Sequence, residues 1–171
     1  MAETNAVGNI TAKYIYGIGL LARVDTNGTN YYHYDSLGSA IALTDESGAV
    51  TDQYAYDEFG SIANRGGYSE NPFTFVGQYG LMDEGNGIYF VRARYYDSKT
   101  GRFLNKDLIT GVDNAPQTLH RFVYALNSPV GLVDLTGFCA DVSGVDSWWY
   151  RWTTIGLILL IHGIETELMI N

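Results

Sequence analysis

A short tyrosine motif occurs twice in this sequence and constrains the fold more than any other feature. Residues 32–38 and 54–60 share the form Tyr-x-Tyr-Asp-x-x-Gly, and the two copies begin 22 residues apart. A period of this length is typical of arrays of small supersecondary units. The shared positions are Tyr32, Tyr34, Asp35 and Gly38 in the first copy, and Tyr54, Tyr56, Asp57 and Gly60 in the second.

The sequence between and within the copies predicts one β-hairpin per repeat. Two strand-like stretches, 40–44 and 50–54, flank the turn signal Asp45-Glu-Ser-Gly48. Alternate tyrosines lie on one face of a strand, the motif aspartate can accept backbone hydrogen bonds, and the glycine permits the turn. An imperfect third copy has one additional residue before its glycine, and its matching positions are Tyr95, Tyr96, Asp97 and Gly101. These motif residues are predicted to be structural.

Composition favours a mainly β fold. The 171 residues include 14 Tyr and 20 Gly but only three Pro, which suits short strands and tight turns. Further strands are predicted over 13–24 and 87–94, and residues 25–28, which end in Asn-Gly, read as a hairpin turn. The length is enough for one modest domain.

The repeats and the segments that follow them resemble the Rhs-repeat-associated core of the Rhs and YD-repeat family. The resemblance includes Phe73-Thr-Phe-Val-Gly-Gln78 and the run 88–103, and segments 105–109, 114–129 and 133–138 follow in the family's order. It implies a spiralling antiparallel sheet of hairpins, which in bacterial polymorphic and insecticidal toxins encloses a C-terminal effector.

This resemblance also implies a division of the chain into three parts. An N-terminal arm would span 1–12, the YD-repeat core 13–138, and an apolar tail 139–171. Three repeats are too few to surround a cavity that the family encloses with many. We therefore expect a fragment, an orphan module or a self-assembling unit.

The family core often acts as an autoprotease, which implies candidate catalytic residues. Asp107 and Asp134 match the family's carboxylate pair, and Arg102 matches an associated arginine. Aspartic proteolysis needs two close carboxylates that share one proton. The predicted scissile bond joins Phe138 to Cys139. The family's usual Asp-Pro-x-Gly is here Asp-Leu-Thr-Gly, so the proline that would restrict the backbone at Asp134 is missing.

The tail after Phe138 is short and apolar. Its 33 residues are too few for most independent folds, yet they hold three Trp and the apolar run 155–161. That run is shorter than a bilayer-spanning helix, so a membrane partner is not predicted. We expect the tail, as a short helical or apolar segment, to pack on the β-wall. The candidate self-association residues are Trp148, Trp149, Trp152, Leu157, Leu159 and Ile161.

Charge and cysteine content exclude several other classes. A net charge of −9 with ten scattered basic residues argues against nucleic acid as a partner. The single cysteine allows neither an internal disulfide nor a cysteine-based zinc site, so no metal or cofactor is predicted. Residues 1–10 lack the features of a secretory signal. A bacterial protein that is cytoplasmic or released by a specialised route is expected.

Three functions remain open on sequence alone. The leading interpretation is a structural module that self-associates into a ring, tube or filament, because repeat arrays have open strand edges. The second is a self-cleaving core of a toxin shell. The third is a module that binds cell-surface carbohydrate, because exposed aromatic side chains stack on sugar rings. The corresponding partners are another copy of the chain, a longer Rhs shell, or a glycan.

Overall fold

A computed structural model describes residues 1–108, 119–138 and 141–142 and confirms a mainly antiparallel β fold. Short 3-10 turns occupy Gly77–Tyr79 and Ala125–Asn127. The strands are β1 (Ala2–Thr4), β2 (Ile10–Tyr16), β3 (Leu20–Asp25), β4 (Gly28–Tyr34), β5 (Ala40–Thr44), β6 (Val50–Tyr56), β7 (Ile62–Gly66), β8 (Met82–Gly85), β9 (Ile88–Val91), β10 (Arg94–Asp97), β11 (Arg102–Phe103), β12 (Leu132–Val133) and β13 (Asp141–Val142).

The first seven strands form one sheet in which sequence neighbours are also spatial neighbours. Its order is β1 to β7, and every adjacent pair is antiparallel. The predicted hairpin of β5 and β6 is present. The single strand predicted over 13–24 is wrong, because Gly17 N donates to Gly19 O at 2.8 Å and closes a turn between β2 and β3. Residues 1–12, predicted as an arm, contribute β1 and the start of β2 to the sheet.

A core covers the inner face of this sheet. Tyrosines on alternate strands, with Leu20 and Leu43, pack around Phe73. The segment 71–81 crosses this face and is held by backbone contacts, among them Ala40 N to Thr74 O at 3.0 Å. The sheet therefore buries its inner face against its own following segment.

A four-stranded sheet of order β11-β10-β9-β8 follows. The strand predicted over 87–94 is wrong, because it turns back at Arg92, whose φ is +49°, and divides into β9 and β10. Tyr89 and Tyr96 from this sheet pack with Phe75 and with residues 124–135 in a second core. Strands β12 and β13 pair nearby as a small third sheet.

Candidate functional site

The aspartates of the repeat motif organise turns. Asp35 Oδ1 accepts hydrogen bonds from the backbone N–H groups two and four residues later, at 2.9 and 2.8 Å. Asp57 makes the same pair of contacts at 3.0 and 2.8 Å. Asp97 accepts from the N–H two residues later at 3.0 Å. Each carboxylate thus satisfies donors of its own turn, as in an Asx turn.

The second tyrosine of each motif ties neighbouring hairpins together. Tyr34 donates its hydroxyl proton to Leu20 O at 2.9 Å, and Tyr56 donates to Ala40 O at 2.7 Å. Tyr96 donates in the same way, at 2.7 Å, to a carbonyl in the turn after β6. An ordinary phenol is already protonated at neutral pH, and burial raises the pKa of all three phenols further.

The first tyrosines of the two complete motifs meet at one buried amide. Tyr32 donates its hydroxyl to Asn71 Oδ1 at 2.8 Å, and Asn71 Nδ2 donates to the Tyr54 hydroxyl at 3.3 Å. Asn71 Oδ1 also accepts from Phe73 N at 3.0 Å. These tyrosines are buried, so they do not form an exposed row on which sugars could stack. Sequence reasoning missed this role of Asn71.

The third motif departs from the first two. Tyr95 lies on the opposite face from Tyr96, is 43% exposed, and packs against Phe90 with ring centroids 5.3 Å apart. Gly101 has a φ of +66°, and a Cβ there would lie 2.7 Å from the ring of Phe59. The glycine therefore serves both the turn and a close approach.

The two carboxylates predicted as a catalytic pair meet at one buried guanidinium. Arg94 Nη2 lies 3.0 Å from Asp107 Oδ2 and 3.3 Å from Asp134 Oδ2. The guanidinium also stacks on the ring of Phe103 at 3.5 Å, and Nη1 donates to Arg121 O at 3.2 Å. Folding thus brings together two carboxylates that are 27 residues apart in sequence.

Asp134 is the more deeply buried of the pair. Burial raises the pKa of Asp134 to about 6, although the Gly137 N–H and the Arg94 guanidinium favour the charged form. Its Oδ1 accepts from the backbone N–H groups of Gly137 at 2.7 Å, Thr136 at 3.2 Å and Phe138 at 3.2 Å. The carboxylate therefore folds the next four residues around itself without the proline that the family usually has.

The remaining predicted site residues lie in different surroundings. The Arg102 side chain is exposed on β11, and among the described residues Arg94 is the guanidinium that touches both carboxylates. Phe138 is 37% exposed at the end of the segment from Asp134, and Cys139 lies outside the described residues. Arg94 was missed, although its alternation with the buried Tyr96 was a signal that it points into the core.

The predicted self-association residues of the tail also lie outside the described residues. These are Trp148, Trp149, Trp152, Leu157, Leu159 and Ile161. Within residues 1–108 and 119–138, no three His, Cys, Asp or Glu side chains gather as metal ligands. Across the described part of the chain, no helix combines the length and hydropathy needed to cross a membrane.

The large sheet ends at two edge strands. β1 pairs only with β2, and β7 only with β6, among the strands that the structure describes. β7 has five residues, of which 63–66 are exposed. Its one charged side chain, Arg65, is exposed, donates to the Ser69 carbonyl at 2.5 Å and lies over the ring of Tyr54. Among the residues of β7, Arg65 therefore supplies the one charge that could oppose pairing with another strand, and it is held by the Ser69 carbonyl and the Tyr54 ring.

Comparison with known proteins places these features in one family. A family model described as the teneurin YD-shell matches residues 3–130. The tRNA3(Ser)-specific nuclease WapA of Bacillus spizizenii is 36% identical over 141 residues, which cover 79% of this chain and 6% of that protein. The toxin protein Tse5 of Pseudomonas aeruginosa is 35% identical over 107 residues, covering 63% of this chain and 8% of Tse5. The chain thus spans less than a tenth of these relatives.

Solved structures share the fold. A crystal structure of TcdB2-TccC3 with Cdc42 superposes with a TM-score of 0.64 at 20% identity, covering 79% of this chain and 7% of that one. The Photorhabdus luminescens Tc holotoxin pore gives the same TM-score and identity over 80% of this chain and 7% of that one. At this identity the likeness concerns the fold alone.

Proposed function

Because the chain belongs to the teneurin YD-shell family of Rhs and YD-repeat proteins, we propose that this structural shell module joins a second copy of itself along β7. The observation that carries this proposal is the outer edge of β7, which no described strand covers and which has a single charged side chain, Arg65. An unpaired strand edge presents a row of backbone donors and acceptors to any strand that can pair with it.

The direction of the strands limits how two copies can join. Because all six neighbouring pairs are antiparallel, β1 and β7 run in the same direction. A copy added in the same orientation would place its β1 parallel to β7. An antiparallel junction that keeps the inner faces of both sheets on the same side requires a twofold axis, which pairs β7 with β7. The proposed assembly is therefore a symmetric dimer, and a similar β1 junction would extend it into a filament.

The length of β7 fixes the register of this junction. All five residues pair with the second copy only when the twofold axis passes through the middle residue, Asn64. Asn64 of one copy would then lie opposite Asn64 of the other. Two like charges introduced at this position would repel each other, and two opposite charges would attract. This position offers a charge-exchange test of the interface.

Analytical ultracentrifugation of the wild-type chain and of charged variants tests the proposal. We expect the wild-type chain to dimerise with rising concentration, Asn64→Lys and Asn64→Asp to remain monomeric alone, and an equimolar mixture of the two variants to dimerise. Gln53→Lys, which adds the same charge to an exposed position of β6, is the matched control and should dimerise like wild type. A wild-type monomer at high concentration would contradict self-association and leave the edge to strands of a longer shell.

Self-cleavage is a second candidate function, and the buried Asp107 and Asp134 pair favours it. Asp107 Oδ2 and Asp134 Oδ2 both contact the same nitrogen, Arg94 Nη2, so these two carboxylate oxygens lie close to each other. The Asp134 carboxyl, whose pKa is about 6, retains its proton in mildly acidic solution and can polarise a carbonyl, while the Asp107 side chain is placed to accept a proton from water. Phe138, before the predicted scissile bond, already contacts Asp134 through its N–H.

Intact-mass measurements during incubation at pH 4 to 8 test this candidate. We expect cleavage after Phe138 that slows as pH rises above 6, because Asp134 then loses the shared proton. Asp107→Asn and Asp134→Asn should stay uncut, whereas Glu46→Gln, an exposed carboxyl in a distant turn, should cut at the wild-type rate. Full-length mass at every pH would exclude self-cleavage.

A further inference from the structure

The segment 134–138, which leads to the predicted scissile bond, is attached to the turn between β9 and β10. Arg92 Nη1 donates to Leu135 O at 2.7 Å, and Nη2 of the same guanidinium donates to Tyr79 O at 2.8 Å. A Cβ on Gly137 would lie 2.5 Å from a carbonyl oxygen of that turn, so a glycine is needed for the segment to approach this closely. The segment and the turn are therefore fitted to each other.

Arg92 makes these contacts from a strained backbone conformation. Its φ is +49°, which side-chain-bearing residues rarely adopt, and Ala93 N donates to Val91 O at 2.5 Å across it. Such a three-residue turn is rare and strained. A glycine at this position would remove the strain, so the contacts of the guanidinium are what explain the arginine. Strained residues of this kind cluster at functional sites.

A second stretch with positive φ contributes to the same core as this segment. Ala125, Leu126 and Asn127 all have positive φ, and Ala125 packs in the same core as Leu135. Of the two turns, the one at Arg92 contacts the residues after Asp134 directly, through the hydrogen bond to Leu135 O.

The position of this segment sets the position of the scissile carbonyl. Asp134 Oδ1 accepts from Phe138 N at 3.2 Å, and the Phe138 carbonyl carbon is two covalent bonds beyond that nitrogen. Leu135 directly follows Asp134, so a contact to its carbonyl fixes the backbone between the carboxylate and the bond. A small displacement of a reacting group costs a large factor in rate.

We propose that Arg92 is a positioning residue for self-cleavage, holding the Leu135 carbonyl so that the Phe138 carbonyl lies beside the Asp107 and Asp134 pair. This inference rests on the self-cleavage proposed above. In that reaction an ionised carboxylate takes a proton from water as the oxygen adds to the Phe138 carbonyl carbon. The carbon–nitrogen bond to Cys139 then breaks, and a proton passes from the carboxyl pair to the departing amine.

Cleavage kinetics test the catalytic part of this role. Arg92→Gly removes the guanidinium. Because glycine adopts a positive φ without strain, the substitution should not destabilise the turn backbone. Refolding from denaturant starts the reaction, and intact mass follows it. We expect cleavage at least tenfold slower than wild type, with partial recovery on adding millimolar guanidinium ion. Lys99→Ala, which removes one exposed positive charge, is the control and should cleave at the wild-type rate.

Hydrogen exchange tests the positioning independently of cleavage. In an Asp107→Asn background, which should remain uncut, Arg92→Gly should raise the exchange rate of amides 136–138 at least tenfold and leave those of β2 to β6 unchanged. Unchanged exchange, or wild-type cleavage by Arg92→Gly, would overturn the role of Arg92. If amides 136–138 exchange faster in Arg92→Gly but the wild-type chain never cleaves, self-cleavage itself would be overturned. The contact between Arg92 and Leu135 O would then have no catalytic role.

Discussion

The surroundings of Asp134 have opposing effects on its pKa, and the net rise makes the free energy of unfolding depend on pH. Burial favours the neutral acid and raises the pKa to about 6, whereas an unfolded aspartate titrates near 3.9. The folded chain therefore binds more protons between these two pH values. Stability contributed by the neutral form is present below about pH 4 and is lost as pH rises through 6.

Replacing Asp134 should remove this pH dependence. Two pKa units correspond to about 3 kcal/mol, so the free energy of unfolding of Asp134→Asn should rise relative to wild type by up to that amount between pH 4 and 7. Urea denaturation at several pH values measures it. Glu46→Gln should follow the wild-type curve. A difference between Asp134→Asn and wild type that stays constant with pH would contradict the prediction.

The buried amide of Asn71 allows a second test at the level of single residues. Asn71→Ala leaves the hydroxyls of Tyr32 and Tyr54 without this partner inside the core. An orphaned buried polar group costs about 1–3 kcal/mol, so the variant should lose at least about 2 kcal/mol of unfolding free energy. Denaturant unfolding measures the loss. Adding Tyr32→Phe should recover part of it, because one orphaned hydroxyl is then removed. No recovery would mean that packing, not hydrogen bonding, is what Asn71 supplies.

Two turn glycines have nearly the same φ but different surroundings. Substituting each of them with alanine therefore distinguishes the cost of backbone strain from the cost of a steric clash. Gly48 and Gly60 have φ of +84° and +88°, but a Cβ on Gly48 meets nothing within 4 Å, whereas one on Gly60 would lie 2.5 Å from the Phe75 ring. Gly48→Ala should cost about 1–2 kcal/mol from the left-handed backbone alone. Gly60→Ala should cost at least about 2 kcal/mol more, because the ring must move. Equal losses in thermal unfolding would contradict this account.

The sequence predicts individual hairpins better than it predicts where strands turn. Asp-x-x-Gly turns are recognised because both residue types have a defined local role, and β5 and β6 lie where they were expected. The stretch 87–94 reads as one strand because nothing local marks its turn. Arg92 adopts a positive φ there, and its guanidinium bonds to carbonyls of residues 79 and 135, which lie far away in sequence.

The candidate site divides in the same way. The resemblance supplied Asp107 and Asp134, but the arginine that joins them is Arg94 and the exposed Arg102 lies elsewhere on β11. Which arginine faces the carboxylates depends on how β10 packs against residues 119–138, and that packing is long-range. A motif can locate charged residues in the chain, but the fold decides which of them meet.

The two sheets should unfold together. Tyr56 packs against both cores, and segment 71–81 leaves the first sheet carrying Phe73 for one core and Phe75 for the other. Leu20→Ala, made in the first core, should cost about 2–5 kcal/mol. Hydrogen exchange should show the same loss of protection for β9 and β10 in the second sheet. Unchanged protection there would mean that the sheets unfold independently.

The shared direction of the two edge strands, β1 and β7, determines how the sheet can change when repeats are duplicated or lost. Each repeat of 22 residues adds one outgoing and one returning strand, so β1 and β7 run the same way however many whole repeats lie between them. Duplication or loss of a repeat changes the length of the wall but not the polarity of its two ends. Such a sheet can lengthen or shorten over evolutionary time and still meet the same neighbours, whereas an insertion of a single strand would reverse one end.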